Sequence, residues 1–252
     1  MNSPQQLLQR LDAIGRSLAN TEGGLALIGL GSVGRDTFRL DQWSDLDFYA
    51  VVTPEAQPRL LTDAGWLAAA APLAFVHRAS DVGVHVLFAD NIYAEMAIFT
   101  PAELEGAWYE PGRIIWKRDD VPAGIAVPSV PPPAPPSRTL DWLLAQALCN
   151  LYVGLSRFRR GEKLAAAREI QLYALERLLE LAALQEPEPS GLRDAFANMR
   201  RFEQRFPQMA AHLPAFQPGY ERTPEAAAAM LDYLAGRYPL NEGMSRAIRA
   251  ML

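Results

Sequence analysis

The stretch that decides the fold runs Leu25-Ala26-Leu27-Ile28-Gly29-Leu30-Gly31-Ser32-Val33-Gly34 and resumes at Asp45-Leu46-Asp47-Phe48-Tyr49-Ala50-Val51-Val52. Both halves are short apolar runs rich in branched and aromatic residues, the signature of strands. Between them lies a glycine-serine turn, followed by Arg35 to Ser44, where Phe38, Leu40 and Trp43 follow no helical period. Residues two apart on a strand point the same way, so Asp45 and Asp47 share one face while Leu46, Phe48, Ala50 and Val52 can enter a core. Two carboxylates side by side repel, and one is normally protonated unless a cation sits between them. Magnesium, which prefers hard oxygen ligands and substrate phosphates, suits that position. Gly31 permits close backbone approach to a phosphate, and Ser32 offers an amide and a hydroxyl as donors.

The same glycines also spell G-x-G-x-x-G after a strand, the pattern of a dinucleotide-binding Rossmann unit. That unit needs a helix opening at the glycines and an acidic residue at the end of the second strand. Here the acids stand at the beginning of the second strand, and only Glu55 is available at its end. An NAD(P)-binding oxidoreductase built on Gly29, Gly31 and Gly34 is therefore kept only as an alternative.

Working outward, Val84–Phe88, Tyr93–Phe99 and Arg113–Trp116 also read as strands, and Gln5–Leu18 and Pro58–Ala70 have helical spacing. The run Tyr93-Ala94-Glu95-Met96-Ala97-Ile98-Phe99 holds one ionisable carboxylate, Glu95. Burying it there without a partner would be costly, so a metal or a proton taken from an attacking hydroxyl is the expected reason for it. Prolines at 122, 128, 131, 132, 133, 135 and 136 mark an extended connector over 121–137. Beyond it the period becomes helical. Leu140 to Phe158 behind a cap at Ser137, Leu164 to Leu184, Leu192 to Phe206 and a helix opening at a Thr223 cap are expected as a bundle. The fold class that follows is an α+β (α/β) domain with a mixed sheet over 1–120, a linker over 121–137 and an all-α bundle over 138–252.

Gly31-Ser32, twelve intervening residues, then Asp45-Leu46-Asp47 inside an apolar strand resembles the DNA polymerase β-like nucleotidyltransferase superfamily. The chain looks most like its small-molecule branch, which modifies aminoglycosides and lincosamides. Leu87-Phe88-Ala89-Asp90 running into Ala94-Glu95-Met96, and Gly112 to Asp119, fit the same branch. The resemblance implies transfer of a nucleoside monophosphate from a nucleoside triphosphate, ATP being the expected donor, to a hydroxyl, with two Mg2+ ions and release of pyrophosphate. Carried onto this sequence, Asp45 and Asp47 would ligate metal, Glu95 would ligate metal or act as general base, and Gly31 and Ser32 would bind nucleotide. Arg35 and Arg39 are further candidates for steering the triphosphate. Glu95 departs from the aspartate frequent in the superfamily.

Composition limits the partners. The first 137 residues carry 9 basic and 16 acidic residues, the remainder 15 and 13. This balance lacks the clustered cations that duplex nucleic acid requires. A small hydroxylated acceptor is expected, cationic or neutral, with adenylylation of a protein partner as the rival. No apolar run approaches bilayer length, so no membrane is expected, the chain is expected to be cytoplasmic, and a dimer remains open. The single cysteine, Cys149, is expected in the core, and His77, His85 and His212, far apart in sequence, are expected to be structural.

Overall fold

A computed structural model describes residues 2–132, 138–189, 197 and 199–252. The chain forms two compact units, Met1–Ala134 and Pro135–Leu252. The architecture is α+β: a mixed six-stranded sheet, then a helical unit.

The first unit comprises β1 (Gly24–Gly29), β2 (Leu46–Val52), β3 (Leu73–Arg78), β4 (Gly83–Phe88), β5 (Tyr93–Phe99) and β6 (Arg113–Lys117), in the order β3-β4-β5-β2-β1-β6. β2 and β5 run parallel, and every other neighbouring pair is antiparallel. One face is sealed by α1 (Pro4–Ala19), α2 (Gln57–Thr62) and α3 (Gly65–Ala68). Ser3 starts α1 with a capping box: its hydroxyl accepts from Gln6 N while the Gln6 side chain accepts from Ser3 N at 2.7 Å. Leu7, Leu11, Ile14 and Leu18, at helical spacing, then meet Leu46, Phe48, Ala50 and Val52, alternate residues of β2.

The opposite face is packed at one end. There α4 (Pro101–Gly106), Tyr109 and Val121–Ala126 pack on Ala26, Ile28 and Val51. The first six residues of the expected connector pack on this sheet: Gly112 N donates to Ala126 O at 2.8 Å and Tyr109 OH to Ile125 O at 2.8 Å. Residues 133–137, including the expected cap Ser137, lie outside the described residues. The helix expected over Pro58–Ala70 is two, broken where Asp63 Oδ1 accepts from Gly65 N at 2.8 Å.

In the second unit α5 (Leu140–Arg159) starts at Thr139, whose hydroxyl accepts from Trp142 N. Its apolar stripe packs on α6 (Lys163–Arg168), a π-helical turn (Glu169–Ala174) and α7 (Leu175–Gln185), which form one continuous rod where a single α-helix was expected. Of the helix expected over Leu192–Phe206, residues 192–196 and 198 lie outside the described residues, and the described remainder is α-helical only over α8 (Phe202–Arg205). Two further short helices, α9 (Pro207–Ala210) and α10 (Leu213–Phe216), lead to α11 (Thr223–Ala235) and α12 (Glu242–Arg249). Thr223 is the first residue of α11, not its cap: its hydroxyl donates to Tyr220 O and accepts from Gln171. Cys149, expected inside, is exposed. Among the described residues no helix is long and apolar enough to cross a membrane.

Candidate active site

The turn after β1 is tight for backbone reasons. Gly31 has φ +49°, in the left-handed region that favours glycine, and a Cβ there would lie 3.7 Å from Asp47 Oδ2. Gly34 is fixed by space: a Cβ would come within 2.6 Å of Gly29 O. The turn closes through Gly34 N donating to Leu30 O at 2.8 Å, and Leu30 N donates to Asp47 O at 2.8 Å. It is then fastened to β6, because Arg113 donates from Nη2 to Val33 O at 2.9 Å and from Nε to Gly34 O at 3.2 Å. Among the described residues, no hydrogen bond engages the Ser32 hydroxyl.

Parallel pairing of β2 with β5 sets Asp47 directly beside Glu95. Neighbouring strands lie about 4.7–4.9 Å apart, so the two side chains stand side by side on one face. Asp45 lies two residues back along the chain, on the same face. Glu95 is exposed, so the desolvation cost expected from its apolar run does not arise; its neighbours Ala94 and Met96 take the buried side. Tyr93 OH donates to Glu95 Oε1 at 3.2 Å. Burial first, then the charge of Glu95 and the bond to it, and beyond them Asp45 and Asp47, hold the Tyr93 phenol above its ordinary value. Burial, Tyr109 and Asp47 do the same to Tyr49.

The two arginines are partly committed. Arg35 donates from Nε to Gly112 O at 3.0 Å, and Arg39 pairs with Asp36 at 2.5 Å. The loop carrying them exposes Phe38 and Trp43 at 70% and 72%, two aromatic side chains beside the turn that spacing alone did not single out. His77 and His85, distant in sequence, are cross-strand partners, and His85 is in turn the cross-strand partner of Glu95.

Among the described residues, no three His, Cys, Asp or Glu side chains converge as a ready metal cage. The donor set nevertheless fits magnesium, which is held by one or two carboxylates together with substrate phosphates. The dinucleotide reading fails on topology. β1 and β2 are antiparallel and joined by a loop of short turns with no helix at the glycines, whereas that fold needs a parallel pair bridged by a helix.

No protein-family model matches the chain, and a search of curated proteins finds no match. Among solved structures it is similar to a crystal structure of an aminoglycoside 6-adenyltransferase from Bacillus subtilis, at 12% identity and a TM-score of 0.34, over 100% of this chain and 92% of that one. A likeness of that depth bears on neither activity nor substrate.

Proposed function

We propose that the chain is a nucleotidyltransferase that moves a nucleoside monophosphate, AMP in the first instance, from its triphosphate to a hydroxyl of a small molecule. The observation that carries this reading is the juxtaposition of Asp47 and Glu95 on neighbouring parallel strands, beside the Gly31 turn. The acceptor oxygen bonds to the α-phosphorus, the bond from that phosphorus to the bridging oxygen breaks, and pyrophosphate leaves with the electron pair. The hydroxyl proton passes to the Glu95 carboxylate. Asp45 and Asp47 would hold the divalent cation, which when bound neutralises phosphate charge and aligns the displacement. Gly31 and Ser32 would bind the triphosphate, with Arg35 and Arg39 at its rim. Adenylylation of a protein rather than a small molecule uses the same residues and stays the rival on this fold.

The test is calorimetry of ATP binding with Mg2+ and with chelator, together with pyrophosphate release across a panel of hydroxyl acceptors. Asp47→Ala is expected to cut pyrophosphate release by about 10²-fold or more, with melting curves verifying that the variant is folded. ATP binding that is indifferent to chelator overturns the metal assignment.

A further inference from the structure

α5 is built unlike α1. A helix packed on one side ordinarily turns a polar side to water, as α1 does with Gln5, Gln9, Asp12 and Arg16 exposed behind its buried stripe. From Trp142 to Ser156, α5 has no charged residue on any side. Leu144, Leu148, Leu151 and Leu155 enter the core of the second unit. Behind them Ala145 and Cys149 are exposed, and so are Trp142, Tyr152 and Val153, at 43%, 39% and 39%. A continuous uncharged strip of this kind marks an interaction surface. Steps of three and four residues carry it from Trp142 through Ala145, Cys149 and Tyr152 to Ser156, the seven-residue repeat of a helix-pairing seam. Charge returns at the two ends. At the first, Asp141, Glu176 and Glu180 outnumber Arg138 and Arg177, whose guanidiniums stand over the Trp142 ring. At the last, Arg157, Arg159 and Arg160 outnumber Glu162.

We propose that this strip pairs with the same strip of a second copy of the chain, the two α5 helices running antiparallel about a two-fold axis at Cys149. Length, shape and charge all place the axis there. Cys149 lies at the middle of Leu140–Arg159, so antiparallel pairing about it overlaps the helices over their whole length, about 30 Å. The seam matches itself in both directions from that point: Ala145 opposes Val153 of the other copy, Gln146 opposes Tyr152, and Trp142 opposes Ser156. Each bulky side chain thereby meets a smaller one. The same operation sets Asp141 against Arg157, twice by symmetry, and brings each carboxylate-rich end to a guanidinium-rich one. Parallel pairing would bring like ends together. One helix face is small for a specific interface, so the dimer is expected to exchange with monomer at a Kd in the micromolar range. α5 belongs to the second unit, so this pairing does not depend on the transfer chemistry proposed for the first.

Sedimentation equilibrium of the full chain over about 1–100 μM tests the proposal. A monomer–dimer equilibrium is expected, and monomer alone across that range overturns it. Cys149→Glu, which sets two carboxylates on the axis, should weaken the dimer about tenfold or more, and Asp141→Arg, which opposes guanidiniums, about fivefold or more. Adding Arg157→Asp to Asp141→Arg should restore the dimer, a rescue that only the antiparallel register provides. Melting curves verify that each variant is folded. Diamide gives a second reading, because Cys149 is the only cysteine. Two Cys149 thiols become one disulfide, and their two protons and two electrons pass to the N=N bond of diamide, which becomes the hydrazine. Disulfide-joined dimer should form faster in the unaltered chain than in Asp141→Arg, and recover in the double variant. A dimer that ignores Cys149→Glu and Asp141→Arg, or that the charge exchange fails to restore, is held elsewhere on the chain and overturns the α5 pairing.

Discussion

The sheet face away from α1 has two ends, and they differ in the side chains that stand at alternate positions. At one end Ala26, Ile28 and Val51 are sealed under α4, Tyr109 and Val121–Ala126. At the other, Asp47, Glu95, His85 and His77 stand on the same face, Asp47 and His85 half-buried and Glu95 and His77 exposed. β2 contributes to both, so four residues along one strand, Asp47 to Val51, separate a candidate site position from a core position. Strand alternation makes a face; only the covering segment decides whether that face becomes core or chemistry.

The sharpest way to break this contrast is Tyr109→Ala. Tyr109 is 2% exposed, packs edge-on against Tyr49 at 5.4 Å and anchors Ile125 through its hydroxyl. Its loss should cost about 3–5 kcal/mol in denaturant unfolding, whereas Glu95→Ala at the open end should cost no more than about 0.5 kcal/mol. Similar losses at both ends would mean that the open end is also structural.

Gly34→Ala tests the turn that joins the two ends. With a Cβ forced against Gly29 O and the Leu30 backbone, the turn must shift, at about 1–3 kcal/mol of stability. ATP binding should fall with it in calorimetry, because Gly31 and Ser32 move too.

A smaller effect concerns α4. Backbone N–H of Thr100 first, then its hydroxyl and Gln57, hold the Glu103 carboxyl below the ordinary carboxylate range. A depressed folded value means stability present above the unfolded value of about 4.3 and lost as pH falls through the folded one. The melting temperatures of the native chain and Glu103→Gln should therefore differ at neutral pH and converge in acid.

Much of this was legible in the sequence. β2 and β5 fall where Leu46–Val52 and Tyr93–Phe99 predict, since each alternates a buried row with a half-exposed one. Asp45 and Asp47 announce themselves by standing at a strand's start. β3 escaped because Leu73–Arg78 is an edge strand exposed on both sides, so no burial pattern marks it. Its signal was the turn chemistry of Ser80-Asp81-Val82-Gly83, which together with β4 spells a hairpin. Thr100-Pro101-Ala102-Glu103 likewise spells the capping box of α4. What spacing alone could not supply was register. That Asp47 meets Glu95, and His77 meets His85, depends on pairing between strands, which no local period encodes. Cys149 failed for a related reason, since an apolar helical period does not say which residues beside the stripe remain outside it.

Parallel pairing of β2 with β5 also dates the site within the life of the molecule. Asp47 and Glu95 are 48 residues apart, and no shorter path in the chain brings them together. On a ribosome adding about 5–20 residues per second, β5 emerges about 2–10 s after β2. For that interval the nascent chain holds two repelling aspartates without their neighbour, and an unpaired β2 edge open to the wrong partner. Under the proposed transfer, competence is a late event, arriving only with the strand that carries Glu95.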